Sequence, residues 1–455
     1  MPSDQSPHKL GTEPIGKLLV EYSVPAIIAM TIVSLYHVID SIFIGHGVGA
    51  MAIAGLAVTF PLMNLVIAFS TLVGVGSATI SSIYMGQKDT QRATLVLHNA
   101  FILLLVDSVV ISTVAYIFLD PILYFFGSSS ETLPYARDFM QVILIINPIS
   151  YLFIGLNNLM RAPGYPKKAM ISSFFTVAVN VIVAPIFIFV LKLGIRGAAM
   201  ATGVAQTVGL VWVLFHFLNK KSFIHIQRGY FKLSKRIIVS IFSIGMSPFL
   251  LNTCSCVVVI IINSSLQRYG GDMAIGAYGI VNRMLALFGM VVLGLTQGMQ
   301  PIIGYNYGAN RFDRVKQTLR YGLFFGGCIT TVGFLAHELI PGVIVGLFTD
   351  SPELLEISRT GLRIMSAVFF VVGMQIVITQ FFQSIGKSKI SIFLSLSRQL
   401  LFFIPCLLIL PRFYGTTGVW CCLPVADGTA FVIAVIALMY HFHKVSAKMK
   451  EIRQA

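Results

Sequence analysis

Charged side chains are scarce in this sequence. Only 11% of its 455 residues are Asp, Glu, Lys or Arg, whereas 56% are hydrophobic and the mean hydropathy is +0.86. Soluble globular proteins average about 25% charged residues. The composition therefore excludes a soluble globular protein and indicates a polytopic membrane protein, for which the lipid bilayer is the main partner.

The motifs of common cofactor sites are also missing. No G-x-x-x-x-G-K-[ST] sequence occurs, so ATP is not expected to drive the protein, and the nine histidines show no H-E-x-x-H or comparable spacing. The six cysteines lie inside apolar runs, where cysteine behaves as a small hydrophobic residue, and they predict no disulfide framework. We therefore expect no cofactor, no metal and no enzymatic activity.

Long apolar runs fill most of the chain and are separated by Gly, Pro and charged clusters. Each run is long enough to cross a bilayer, which takes about 20 apolar residues in a helix. The predicted spans are 17–45, 51–85, 92–119, 133–160, 166–191, 194–217, 238–267, 273–306, 314–341, 355–385, 388–411 and 415–441. The first run is longer than a signal-peptide core and lacks a small-residue cleavage site, so it is interpreted as a retained helix. The predicted fold is therefore all-α, with twelve transmembrane helices.

Positive charge is distributed unevenly between the two sides of the predicted membrane. The side that holds both termini carries 23 Lys and Arg residues, against seven on the other side. Because positively charged loops face the cytoplasm, both termini are predicted to be cytoplasmic. The net charge of +15 is then explained by membrane topology, and no nucleic-acid partner is expected.

The sequence repeats itself at a nearly constant offset of 222 residues. Pairs at this offset are Met51 and Met273, Gly76 and Gly298, Gly86 and Gly308, and Gly164 and Gly386. An even number of helices in each half gives both halves the same topology, related by an axis along the membrane normal. The predicted domains are a tail at 1–16, a six-helix lobe at 17–217, a basic linker at 218–237, a six-helix lobe at 238–441 and a tail at 442–455. Two such lobes are typical of a secondary transporter.

A carboxylate, Asp40, lies deep in the first predicted helix. An ionised Asp costs about 3 kcal/mol at the centre of a membrane helix, so such residues usually face a cavity or a partner. Tyr36 and His37 precede it by four and three positions and lie on neighbouring faces of the same helix. A purely structural Asp40 would only tie the first helix to its neighbours. The rarity of acidic residues in membranes favours a functional role.

Several stretches resemble the multidrug and toxic compound extrusion (MATE) transporters. They are the run from Asp40 through Gly45 to Ala54, the stretch Gln300–Ala309, and the segment Arg161–Gly164 with its repeat Gln383–Gly386. Within the family, the sequence is most similar to the bacterial branch of DinF-type and MepA-type pumps. The resemblance implies a V-shaped molecule of twelve helices in the bacterial inner membrane, which exports cationic, amphipathic compounds in exchange for H⁺ or Na⁺. We expect it to act as a monomer.

The resemblance also implies a cation site in the N-terminal lobe. In this branch the site consists of an Asp in the first helix, an Asn and an Asp in the fifth, and a Thr in the sixth. Asp40, Asn180 and Thr202 match three of these places, but Ala184 stands where the second carboxylate is expected. Losing that carboxylate weakens a Na⁺ site more than a proton site. We therefore predict H⁺ as the coupling ion, with Na⁺ as the alternative.

Protonation of Asp40 is the predicted coupling step. Burial disfavours the charged form of a carboxyl group, so Asp40 is a plausible proton carrier. The deprotonated side chain would attract a cationic drug or bind Asn180 and Thr202. The protonated side chain would release these bonds, and the first helix would bend at Pro25, which lacks a backbone donor. Tyr36 is assigned to the same site.

The C-terminal half has an unusually polar predicted interior. The residues assigned to a substrate cavity are Arg283, Gln297, Gln300, Gln375, Arg398 and Asp427. Asp427 is either a second site for a proton or a drug cation, or one side of a structural salt bridge to Arg283 or Arg398, and the sequence favours neither. Asp107, in the third predicted helix, has less support and is interpreted as structural.

Two other functions were weighed. A flippase for lipid-linked oligosaccharides, from the same superfamily, would use Arg283 and Arg398 to hold pyrophosphate, but Asp40 and Asp427 argue against it. A polytopic membrane enzyme would need a cluster of catalytic or metal-binding residues near one interface, and the scattered histidines do not provide one.

Overall fold

The computed structural model describes residues 8–48, 50–227, 229–230, 232–348 and 351–454. Within its helices, the side chains at 8, 34–42, 45–47, 50–51, 53–54, 57, 272 and 445–454 lie outside the described set. The described residues are 89% helical.

The helices follow one another with short connections. In the first half they are α1 His8–Thr12, α2 Ile15–Gly47, α3 Ala50–Gly86, α4 Thr90–Ile117, α5 Leu119–Phe125, α6 Leu133–Arg161, α7 Pro166–Pro185 and α8 Gly194–Leu218. In the second half they are α9 Lys235–Gly308, α10 Phe312–Leu339, α11 Pro341–Gly346, α12 Pro352–Ser366, α13 Phe369–Ser384, α14 Ser388–Leu396 and α15 Ile404–Gln454. Two π-helical turns, Ile186–Val190 and Ser397–Phe403, continue α7 and α14.

The prediction of twelve membrane-crossing segments is confirmed. Within the described residues, ten helical stretches are long and apolar enough to span a bilayer, and α12 and α13 form a further span bent by 50°. The stretch Ser388–Lys444 is 57 residues long and contains two of the predicted spans. It is broken at Gly415, whose φ of 55° is left-handed and ends the first of them.

The internal repeat is also visible in the backbone. Gly164 and Gly386 adopt φ values of 102° and 74°, and Gly194 and Gly415 adopt 59° and 55°. Such positive φ values are strained for residues with a Cβ, so glycine is required at these turns. The same turns therefore occur in both halves, at the offset that the sequence predicts.

The chain divides into two compact units. The first contains residues 1–253 and 297–315, and the second contains 254–296 and 316–455. The core of the first unit includes Leu144, Tyr151 and Ala184, and that of the second includes Leu362, Phe369 and Trp420. Both ends of α9 thus belong to the first unit and its middle to the second. The two six-helix lobes with boundaries at 217 and 238 stay a prediction.

In the first unit, α3 and the end of α9 cross without room for side chains. A Cβ on Gly86 would overlap the carbonyl oxygen of Tyr305, and a Cβ on Gly308 would overlap that of Ile83. Gly86 and Gly308 are 222 residues apart, as are Ile83 and Tyr305. The two contacts are therefore equivalent under the repeat, and the crossing has local two-fold symmetry.

Candidate functional site

The predicted coupling carboxylate is carried by α2. The backbone of Tyr36 and Asp40 lies in this helix, but their side chains lie outside the described residues. Pro25 is buried inside α2, which continues through it as a helix from Ile15 to Gly47. α2 packs against α7, and also contacts α3 and α8. The helix that carries Asp40 therefore adjoins the helices that carry Asn180 and Thr202.

Asn180 and Thr202 lie in direct contact. The Asn180 amide Nδ2 donates a 3.3 Å hydrogen bond to Thr202 Oγ1, which itself donates to the carbonyl oxygen of Ala198 at 3.2 Å. Asn180 is only 3% exposed. The Asn180 side-chain carbonyl and the Thr202 hydroxyl thus place two neutral oxygen ligands between α7 and α8.

Ala184 lies one helical turn after Asn180 and is fully buried in the apolar core of the first unit. The next residue is Pro185, after which α7 continues as the π-helical turn Ile186–Val190. A π-turn interrupts the regular α-helical hydrogen bonding and often occurs near functional sites. At position 184, the structure offers a methyl group where a cation would need a charged oxygen.

The sequence assigned Gln297 and Gln300 to a substrate cavity. In the structure, their side chains form hydrogen bonds with residues of the first half of the chain. Gln300 Nε2 donates to Thr79 Oγ1 at 2.7 Å, which joins α9 to α3. Gln297 Oε1 accepts a hydrogen bond from the guanidinium of Arg161, at the end of α6. Both amides therefore lie inside the first unit.

Arg161 is a buried polar residue that the sequence analysis named only as part of the segment Arg161–Gly164. It is only 8% exposed, and it also donates to Asn157 Oδ1 at 3.4 Å. Its recorded partners are thus neutral amides of Gln297 and Asn157. The sequence carried one signal for such a role, since Arg161 lies at the end of a predicted membrane span. A guanidinium that is buried there requires hydrogen-bond acceptors.

In the second unit, Asp427 forms a salt bridge with Arg398. Arg398 Nε lies 2.5 Å from Asp427 Oδ1, and Asp427 is only 3% exposed. Arg398 lies in the π-helical turn of residues 397–403, and its neighbour Gln399 donates to Ser255 Oγ at 3.0 Å. Of the two interpretations that the sequence left open for Asp427, the described structure contains the salt bridge.

Among the described contacts, the remaining predicted cavity residues form no hydrogen bond or ion pair with this pair. Gln375 is buried in α13 and contacts Thr379 Oγ1 at 3.5 Å, whereas the side chain of Arg283 is exposed on α9. The described contacts join Arg398 to Asp427, and Gln297 and Gln300 to the first half. A single substrate cavity made of all six residues stays a prediction.

These features define a multi-pass helical membrane protein with a duplicated fold and buried polar pairs between its helices. The MatE family model matches residues 25–186 and 244–408, one stretch in each half. The chain therefore belongs to the MATE family, and it is a transporter rather than an enzyme. The predicted resemblance to the DinF-type and MepA-type branch is confirmed.

Curated relatives match along nearly the whole chain. "Multidrug export protein MepA" of Staphylococcus haemolyticus (strain JCSC1435) is 28% identical over 426 residues, which is 92% of each chain. MepA of Staphylococcus aureus (strain NCTC 8325 / PS 47) is 26% identical over 438 residues and 95% of each chain.

Solved structures match the fold equally well. The MATE multidrug transporter DinF-BH, solved as a complex with a ligand, is 34% identical, with a TM-score of 0.89 over 96% of this chain and 98% of that one. A MATE structure in complex with MaL6 has a TM-score of 0.91 over 98% of this chain and 100% of that one, at 22% identity. At 22% identity, the similarity to the MATE structure in complex with MaL6 concerns the fold alone.

Proposed function

We propose that this protein exports cationic, amphipathic organic compounds in exchange for H⁺, with Asp40 as the coupling carboxylate. We place it in the bacterial inner membrane with both termini in the cytoplasm. The names of its relatives, a multidrug export protein and a multidrug transporter solved with a bound ligand, support drug export. The observation that carries the coupling proposal is the Asn180–Thr202 pair, which lies between the two helices that contact α2.

The ligands of this pair support H⁺ as the coupling ion. Hard cations are held by several oxygen ligands, usually with carboxylates among them. Asn180 and Thr202 offer neutral oxygens, and Ala184 offers none. Asp40 would then be the only carboxylate of the site. A single carboxylate suffices to carry a proton.

In the proposed cycle, ionised Asp40 is stabilised by Asn180 and Thr202 or by the positive charge of a bound drug. Protonation removes the charge, weakens these interactions and releases α2 from α7 and α8. The helix would then bend at Pro25, where one backbone hydrogen bond is missing. A proton and a cationic drug thus compete for the same carboxylate, which is the basis of exchange.

The salt bridge in the second unit supports this choice of carboxylate. Asp427 is paired with Arg398, so binding a drug cation there would require breaking the ion pair. The salt bridge also engages Arg398, which is one of the two cations that the flippase alternative would use to hold pyrophosphate. Asp40 remains the better candidate for coupling.

The test is ethidium efflux from cells that express the wild type or Asp40→Asn, energised by an imposed pH gradient or an imposed Na⁺ gradient. We expect the pH gradient alone to drive wild-type efflux, and the variant to lose most of that efflux, because an amide does not exchange a proton. Asp138→Asn is the matched control, since Asp138 forms an exposed pair with Arg196 at 2.7 Å. Equal protein in the membrane is verified by immunoblot. Efflux driven by Na⁺, or an active Asp40→Asn, would refute the assignment.

Restoring the missing carboxylate should create a sodium site. We expect Na⁺ to raise the melting temperature of purified Ala184→Asp but not of the wild type, because a ligand that binds only the folded state stabilises it. Ala169→Asp is the control: Ala169 is equally buried in α7 but lies eleven residues before Asn180. The same Na⁺ response in both variants, or in neither, would contradict the proposed ligand set.

A further inference from the structure

Asp107 is an acidic residue within a membrane span to which the proposed mechanism assigns no role. It lies in α4, seventeen residues after Thr90 and ten before Ile117. At 1.5 Å per residue, these positions are about 25 Å and 15 Å from the two ends of the helix. Asp107 therefore lies deep within a membrane span.

The environment of Asp107 offers no hydrogen bond to a negative charge. Its Oδ2 atom is completely enclosed and has no hydrogen-bond partner among the described residues. The part of the side chain that is exposed lies beside Val110 and Val114, which are 52% and 51% exposed. In a membrane protein this apolar face meets lipid rather than water. An ionised Asp107 would therefore have neither a donor nor bulk solvent at Oδ2.

Among the described neighbours of α4, no cation lies near enough to compensate the charge. α4 packs against α3, α5 and α6. α3 contains no acidic or basic residue, and Asp120 of α5 is paired with Arg137 of α6. The Ser112–Asn147 hydrogen bond sets the antiparallel register of α4 and α6.

This register places the cations of α6 far from Asp107. Arg137 falls opposite position 122 of the chain, about 22 Å further along the axis, and Arg161 opposite position 98, about 14 Å in the other direction. Asp138 of the same helix is paired with Arg196. Each charged group of the described neighbouring helices is thus distant from Asp107 or committed to another partner.

A buried hydroxyl group lies on the facing helix, because the Ser112–Asn147 hydrogen bond places Tyr151 opposite position 108 of the chain. Tyr151 of α6 is 1% exposed and is within electrostatic range of Asp107. The Tyr151 hydroxyl is buried without a well-aligned partner among the described residues, and its neighbour Asn147 donates to Ser112 Oγ at 2.7 Å. A neutral carboxylic acid carries both a donor and an acceptor and can pair with this hydroxyl.

We propose that Asp107 is a proton-binding site: its carboxyl group carries a proton in this structure, beside the Tyr151 hydroxyl between α4 and α6. One proton removes the cost of a bare buried carboxylate, which is several kcal/mol for an uncompensated charge. Asp427 provides the contrast within the same chain. It is more buried than Asp107, but its Oδ1 atom lies 2.5 Å from Arg398 Nε, and this neighbouring cation favours the ionised form.

The experiment compares Asp107→Asn with Asp427→Asn in lipid nanodiscs at neutral pH by infrared spectroscopy. Asp107→Asn should lose absorption of the protonated carboxyl C=O stretch, whereas Asp427→Asn should lose carboxylate absorption. Asparagine is isosteric with a neutral acid, so the melting temperature of Asp107→Asn should stay within a degree or two of the wild type. Loss of carboxylate absorption in Asp107→Asn would overturn the proposal.

A second variant keeps the test decisive if Asp107→Asn does not accumulate. Tyr151→Phe removes the neighbouring hydroxyl and leaves the acid in place. We expect the protonated-carboxyl band to shift in frequency without disappearing. An unchanged band would refute the pairing with Tyr151. The readout needs no transport, so it stands or falls independently of the coupling role proposed for Asp40.

Discussion

Asp427→Asn should lower the free energy of unfolding by about 3 kcal/mol, because it leaves the Arg398 guanidinium without its counter-charge. The carboxylate is 3% exposed and the guanidinium 25%, so water compensates only part of the lost interaction. The expected value therefore lies at the lower end of the range for broken buried pairs. The measurement is the melting temperature of the purified protein in detergent, read from intrinsic fluorescence.

An exposed ion pair is the control for this change. Asp120 and Arg137 lie 2.5 Å apart with side chains 43% and 40% exposed, so Asp120→Asn should lower the melting temperature much less than Asp427→Asn. Replacing both partners, as Asp427→Leu with Arg398→Met, should recover much of the stability, because no unpaired charge remains. If Asp427→Asn and Asp120→Asn have the same effect, the Arg398–Asp427 pair does not stabilise the second unit.

The sequence left the partner of Asp427 open because the relevant contact depends on local helix geometry. Arg398 and Asp427 are 29 residues apart on different spans, and both Arg283 and Arg398 were candidates. The π-helical turn of residues 397–403 rotates the following side chains relative to a regular α-helix. A period of 3.6 residues does not predict where such a turn occurs.

The membrane spans were predicted well because hydropathy alone determines them. The two predicted spans 388–411 and 415–441 lie in one helical stretch, Ser388–Lys444. Gly415 marks the break between them. A span must satisfy its backbone hydrogen bonds internally, so long apolar runs have no alternative to a helix. The same constraint says nothing about which face of a helix meets which neighbour.

The glutamines of α9 illustrate that limit. The amides of Gln297 and Gln300 were predicted to line a substrate cavity, and in the structure they form hydrogen bonds with Arg161 and Thr79 within the first unit. An amide is satisfied equally by a solvated cavity or by a neighbouring helix, so its presence in an apolar run predicts a polar partner without identifying it. Asn180 and Thr202, which form a hydrogen bond in the structure, were predicted as neighbours only because the family resemblance supplied the pairing.

The glycine crossing of α3 and the C-terminal end of α9 should be a sensitive packing contact of the first unit. Gly86→Ala and Gly308→Ala each put a methyl group onto the carbonyl oxygen of Tyr305 or Ile83. Neither carbonyl can rotate away as a side chain can, so the two helices must separate. We expect each change to cost about 1–3 kcal/mol, as for other overpacked contacts.

The internal repeat allows a stricter test than a single substitution does. Because the two contacts are equivalent, Gly86→Ala and Gly308→Ala should lower the melting temperature by similar amounts. Amide hydrogen exchange should increase in peptides from both ends of the crossing, whichever glycine is changed. Gly289→Ala, in the same helix α9, is the matched control, because a Cβ there meets nothing within 4 Å. Effects no larger than that of Gly289→Ala would mean that the backbones are not in contact at this crossing in the membrane protein.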